Sequence, residues 1–190
     1  MTQVSLTTLI TAVYCFKKAL FLIHAIRIRF GSISPPPFPI PSTQDSPIFA
    51  DNVIPSMLIH LGVLDLSHAP GLNTLFPGAN SEKSLQSLLG PAPKARVDQQ
   101  ITLHTTIKEG PSLSNAQAFK LRAAAIDACE MIVSQARSLS VSEPEEKQEL
   151  PAWIREITLQ DLDMWLWSIA KDRPDYRALE RYAQRDTVFY

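Results

Sequence analysis

The sequence predicts a mostly α-helical single domain, and three observations carry that reading. Two capping spacings, Ser114 with Gln117 and Thr158 with Asp161, each stand ahead of a long run of helical apolar periodicity. The 15 prolines fall mostly between such runs, most densely from Ser34 to Pro47. Only Gln100 to Ile107 alternates in the manner of a strand, and it does so weakly. A length of 190 residues suits one domain able to bury a core without disulfides or metal.

Each element follows from local chemistry. Leu6 to Phe30 reads as a first helix, and a start with no cap before it looks cut from something longer. Its apolar run is interrupted by Lys17 and Lys18, so it is too short to span a membrane, and its charge follows the apolar part rather than preceding it as in a signal peptide. Residues 34–48 form a Pro-rich connector, extended rather than helical. The run from Phe49 to Gly62 reads as a helix start, a short apolar helix and a glycine stop. Residues 67–112 are rich in Pro, Gly and Ser and are expected to be irregular, with one short helix at Glu82 to Leu89 and partial disorder around 90–100. A long helix runs from Asn115 to about Leu139, a charged linker from Ser140 to Glu149, and a further helix from Thr158 to about Lys171. Arg173-Pro174 ends that helix, and Pro174 opens a last short one.

Composition excludes several classes. Apolar residues make up 45 % and charged residues 19 %, with a net charge of −1. A dedicated nucleic-acid protein usually carries a basic domain, so no direct nucleic-acid partner is expected. Cys15 and Cys129 cannot build a disulfide framework and suit a reducing, cytoplasmic setting. Four scattered histidines lack the paired spacing of a zinc site. No Gly-rich loop marks a nucleotide cradle.

A few residues could carry chemistry. Stepping about 100° per residue from Leu159, the apolar arc of the Thr158 helix holds Leu162, Leu166, Ile169 and Ala170, and Asp163 falls on it at about 40°. Asp161 lies opposite, as a helix-start carboxylate. A buried carboxylate needs a partner, and a structural ion pair or a backbone amide meets that need as well as a catalytic role does. Trp165 and Trp167 flank the arc, with core packing the simpler role for both. Asp51 could cap the next helix. Asn52 caps better, because Pro55 then takes the third helical position, where its missing N–H costs nothing. That leaves Asp51 one residue outside, at an exposed helix mouth. Lys17, His24 and Arg27 form a cationic row on an apolar helical face, either snorkelling or binding an anion. Cys129 reads as a buried, inert thiol.

Four stretches in order resemble the queuosine salvage family, the queuosine 5′-phosphate N-glycosylase/hydrolases. They are Phe16-Lys-Lys-Ala-Leu20, the run from Phe49-Ala-Asp-Asn52 through Pro55 to Leu64, Leu121-Arg through Asp127 to Glu130, and Asp163-Met-Trp-Leu-Trp167 with a terminal aromatic at Tyr190. The resemblance spans nearly all of this chain but only the C-terminal portion of the family's domain, whose members have a substantial segment ahead of the first helix. Leu20 stands where a polar residue is expected, residues 67–112 look like an enlarged insertion, and the prolines of 34–47 resemble those of fungal members. The resemblance implies a fold similar to helical DNA glycosylases. It also implies hydrolysis of queuosine 5′-phosphate to queuine and ribose 5-phosphate, for salvage into tRNA, with no metal and no cofactor. Asp51 is then nucleophile, base or electrostatic stabiliser, and Asp163 the second carboxylate. Lys17 is the natural phosphate ligand, with His24 and Arg27 behind it, and Trp167 or Trp165 could stack on the base. The competing reading is an inactive fragment or a helical interaction module.

Overall fold

The computed structural model describes residues 16–44, 46–93, 109–139 and 151–185. Among them the chain is mostly helical: α1 (Lys17–Phe30), α2 (Val53–His60), α3 (Glu82–Leu89), α4 (Asn115–Ser138), α5 (Trp153–Glu156), α6 (Leu159–Asp172) and α7 (Pro174–Arg177). Two short strands, β1 (Glu109–Leu113) and β2 (Arg181–Gln184), complete it. The expected Leu6 to Cys15 half of the first helix, the strand at 100–107, the linker at 140–149 and Tyr190 lie outside the described residues.

Local signals account for the helix boundaries. Ser114 and Gln117 make a reciprocal capping box at the start of α4, and Thr158 and Asp161 make another at α6. The Ser81 hydroxyl accepts the Ser84 N–H at the start of α3. The α2 helix stops where Gly62 turns to φ 71°, a left-handed conformation that a side chain resists. Pro174 occupies the first turn of α7, as expected.

The core is built around α2. All eight of its residues are buried: the apolar ones fill the core, and Ser56 and His60, neighbours on one face, meet the Tyr182 N–H at 3.3 Å and the Glu180 carbonyl at 2.9 Å. Ile54 and Leu58 meet Ala125, Cys129 and Val133 of α4 and Leu162 and Leu166 of α6. Val53 and Met57 meet Leu88, Ala170 and Tyr176. Ile59 joins Leu72, Phe76, Leu113, Leu121 and Tyr182. The stretch expected to be an irregular insertion therefore contributes Leu72 and Phe76 to the core. The Pro-rich connector is largely exposed but pinned at its end, where the Gln160 amide donates to the carbonyls of Thr43 at 2.7 Å and Ser46 at 2.8 Å. By contrast, α1 buries none of its residues.

Three features were not expected. The one-turn helix α5 follows Pro151. The strands β1 and β2 pair in parallel, Glu109 opposite Arg181 and Leu113 opposite Gln184, with an irregularity between Glu109 and Ser112. Neither strand alternates clearly enough to be read locally, because the pairing joins distant segments. Gly110 lets them approach: a Cβ there would lie 2.7 Å from the Arg181 carbonyl oxygen. Gly110→Ala is expected to destabilise the fold by about 1–3 kcal/mol, the range for forced overpacking. A melting temperature equal to wild type would show that the strand pair does not depend on that approach.

Candidate active site

The site begins at the mouth of α2. Asn52 holds the N-cap position and Pro55 the third helical position, as the sequence implies, but the capping bond is not Asn52's. Its side chain donates instead to the Tyr182 carbonyl at 3.0 Å. The Val53 N–H is taken by Asp51 Oδ1 at 2.7 Å, an Asx-type turn. Asp51 is also not at an exposed mouth: it is 4 % exposed. Two elements bury it: β2 covers its backbone, where the fully buried Tyr182 donates its hydroxyl to the Asp51 carbonyl at 3.0 Å and its N–H to Ser56 Oγ at 3.3 Å, and Lys17 of α1 closes on its carboxylate.

The second carboxylate comes from α6. Asp163 is 3 % exposed, as its place on the apolar arc requires, whereas Asp161 is exposed and serves the capping box. Asp163 Oδ1 accepts the Phe49 N–H at 2.9 Å across 114 positions of sequence. Phe49 lies two residues before Asp51, so one short segment touches both carboxylates. Burial pushes the Asp163 carboxyl up to about 6; the negative charge of Asp51 adds to this, and the Phe49 N–H and the Lys17 charge oppose it. The same burial, with the Asp163 charge, pushes the Cys129 thiol up to about 12, so Cys129 is the inert thiol expected.

Cations complete the group. Lys17 Nζ pairs with Asp51 Oδ2 and lies 5.8 Å from the Trp167 ring centroid. The ammonium of Lys171 sits over the same ring at 3.7 Å. His24 meets Phe49 edge-on at 5.9 Å, beside Phe21 at 6.3 Å, and its buried Nδ1 has no hydrogen-bond partner among the described residues. Arg27 is not brought here: it is exposed, about 15 Å along the helix from Lys17. Trp167 is half-buried against the core, while Trp165, expected to pack inside, is 55 % exposed.

Arg181 is a residue that sequence reasoning missed. It is 8 % exposed and donates to the Ala170 carbonyl at 2.6 Å, satisfying a C-terminal carbonyl of α6. Burial lowers its pKa, and the negative charge of Asp51 counters that. No local signal marks Arg181 or Tyr182, since both act only once β2 reaches α2. A surface cleft of about 430 Å³ lined by Gln44, Glu130, Val133, Ser134, Arg137 and Leu159 shares no residue with this group. Among the described residues no cluster of three His, Cys, Asp or Glu side chains could hold a metal ion, and no helix is long and apolar enough to cross a membrane.

The arrangement pairs one buried carboxylate with a lysine and raises the pKa of a second to about 6, a separation of two carboxylates that acid–base chemistry can use. No protein-family model, no curated protein and no solved structure matches the chain.

Proposed function

We propose that this chain hydrolyses the N-glycosidic bond of queuosine 5′-phosphate, releasing queuine and ribose 5-phosphate. The observation that carries the reading is the convergence of Asp51, Asp163 and Lys17. Three residues picked out by the family resemblance, from positions far apart in sequence, meet around one short segment. Breaking this bond builds positive charge on the ribose and leaves electrons on the departing base. Asp51 supplies negative charge to the developing oxocarbenium ion, as stabiliser, base on water or nucleophile. Asp163, with its carboxyl pushed up to about 6, carries a proton often enough near neutrality to donate it to the leaving base. Water adds to the anomeric carbon, its hydroxyl staying on the sugar and its released proton passing through Asp51 or solvent to restore the Asp163 acid. Lys17 is the cation available for the 5′-phosphate, once it leaves Asp51, and Trp167 offers a ring against which the base can stack. The likeness to helical DNA glycosylases and a cytoplasmic setting belong to the same proposal, as does a small nucleotide, rather than a nucleic acid, as partner.

The test is queuine release. The chain is incubated with queuosine 5′-phosphate and with unphosphorylated queuosine, and free base is separated by chromatography. Release from the phosphorylated substrate supports the reading. The exposed Leu22 and Ile28 of α1, with Phe16 just ahead of it, favour a second one, a helical interaction module. No queuine above the protein-free background, from a chain with a helical circular dichroism spectrum, would favour that reading.

A further inference from the structure

We infer that α1 is a lid over the two carboxylates, latched by the ion pair between Lys17 and Asp51. The inference rests on the proposed function only in taking Asp51 and Asp163 as groups that a ligand must reach. Both are nearly inaccessible, at 4 % and 3 % exposure, so an element must move before any ligand touches them.

The elements around them differ sharply in what movement would cost. Displacing α2 would open all three core clusters, to each of which it contributes. Displacing α6 would expose Leu162, Leu166 and Ala170. Displacing β2 would strand the fully buried Tyr182. Moving α1 uncovers no buried residue of its own. Its inner edge is made by Lys17, Phe21 and His24, spaced i, i+4, i+7 so that they share one side. Lys17 reaches Asp51, and the two rings lean on Phe49, the residue whose N–H serves Asp163. One helical edge therefore covers the segment that touches both carboxylates.

The chain after α1 suits a pivot. Gly31 to Ser34 are exposed, and the connector beyond is anchored by Gln160 at Thr43 and Ser46. Swinging α1 about residues 31–34 leaves that anchor in place. An ion pair is a fitting latch, because both charges recover hydration on opening and the freed ammonium can meet an anionic ligand. Local openings of this kind, far cheaper than global unfolding, are read by amide hydrogen exchange.

The experiment is hydrogen exchange with mass spectrometry on the full chain, with no ligand added. Peptides of α1 are expected to exchange much faster than those of α2 and α6 in the wild type. Lys17→Met and Asp51→Asn should each speed α1 exchange by a further factor of about two to five, the scale of a part-exposed ion pair, leaving α4 and α6 unchanged. Lys18→Met, on the exposed neighbour, should change nothing. Protection of α1 equal to that of α2 would overturn the lid, as would variants that speed α1 and α6 alike. Because the readout needs no turnover, a chain that releases no queuine could still show the lid, and an active chain could still lack it.

Discussion

Asp51→Asn is expected to lower queuine release by about a hundredfold to a thousandfold, the scale on which one preorganised electrostatic contact acts in a transition state. The substitution separates the two jobs that Asp51 does. Asparagine keeps an Oδ1 that can accept the Val53 N–H, so the Asx turn at the start of α2 survives. What disappears is the negative charge, and with it the ion pair to Lys17. Removing the charge from a buried position leaves Lys17 on the more exposed side of the pair, so the fold should lose no more than about 1 kcal/mol. The decisive comparison is turnover against melting temperature. If Asp51 serves only to start the helix, asparagine does that work and both quantities stay near wild type. A drop in turnover at a near-constant melting temperature places the charge in the chemistry. A loss well beyond a thousandfold would point to a covalent route that closes without the nucleophile.

Asp163→Asn is expected to act in opposite directions on activity and stability. Loss of a general acid costs roughly a hundredfold to ten-thousandfold in rate. Stability should rise at neutral pH. Burial raises the Asp163 carboxyl from 3.8 to about 6 in the folded protein, so between those values the folded state holds a proton that the unfolded state has released. Stability contributed by this group is therefore complete below pH 3.8 and declines as pH rises through about 6. The full equivalent of that displacement is roughly 3 kcal/mol. Asparagine is neutral at every pH and keeps the acceptor for the Phe49 N–H. The variant should be about 1–3 kcal/mol more stable than wild type at pH 7.5 and indistinguishable from it near pH 4. Urea titrations at the two pH values check this. A variant less stable than wild type at pH 7.5 would make Asp163 a charged structural anchor for Phe49 and remove it from the proposed chemistry. A stabilised, inactive variant is the mark of a group kept at a cost to the fold.

Much of the helical framework is written locally. The spacings of Ser114 with Gln117 and Thr158 with Asp161, the Gly62 stop and the Arg173-Pro174 break place α4, α6, the end of α2 and the start of α7. Such signals work because a cap or a left-handed turn is decided by residues within one turn of each other. The inward turn of Asp163 was legible for the same reason: helical periodicity puts it on the same side as Leu159, Leu162 and Leu166. Its partner was not, since the Phe49 N–H lies 114 positions away.

Tertiary structure alone decided the rest, and each case turns on a contact between distant segments. Asp51 is buried rather than exposed because Tyr182 packs against its backbone and Lys17 of α1 closes on its carboxylate, and Asn52 is drawn off its capping bond by the strand that carries Tyr182. The β1–β2 pair depends on close backbone approach at Gly110, and neither strand has an alternation that announces it. Lys17, His24 and Arg27 look alike on a helical wheel, yet only the first two reach the site: Lys17 pairs with Asp51 and His24 meets Phe49, while Arg27 stays exposed. Periodicity fixes which side of a helix a residue occupies. Where along its length that side meets another element is set by packing, and here packing decides which charges become partners.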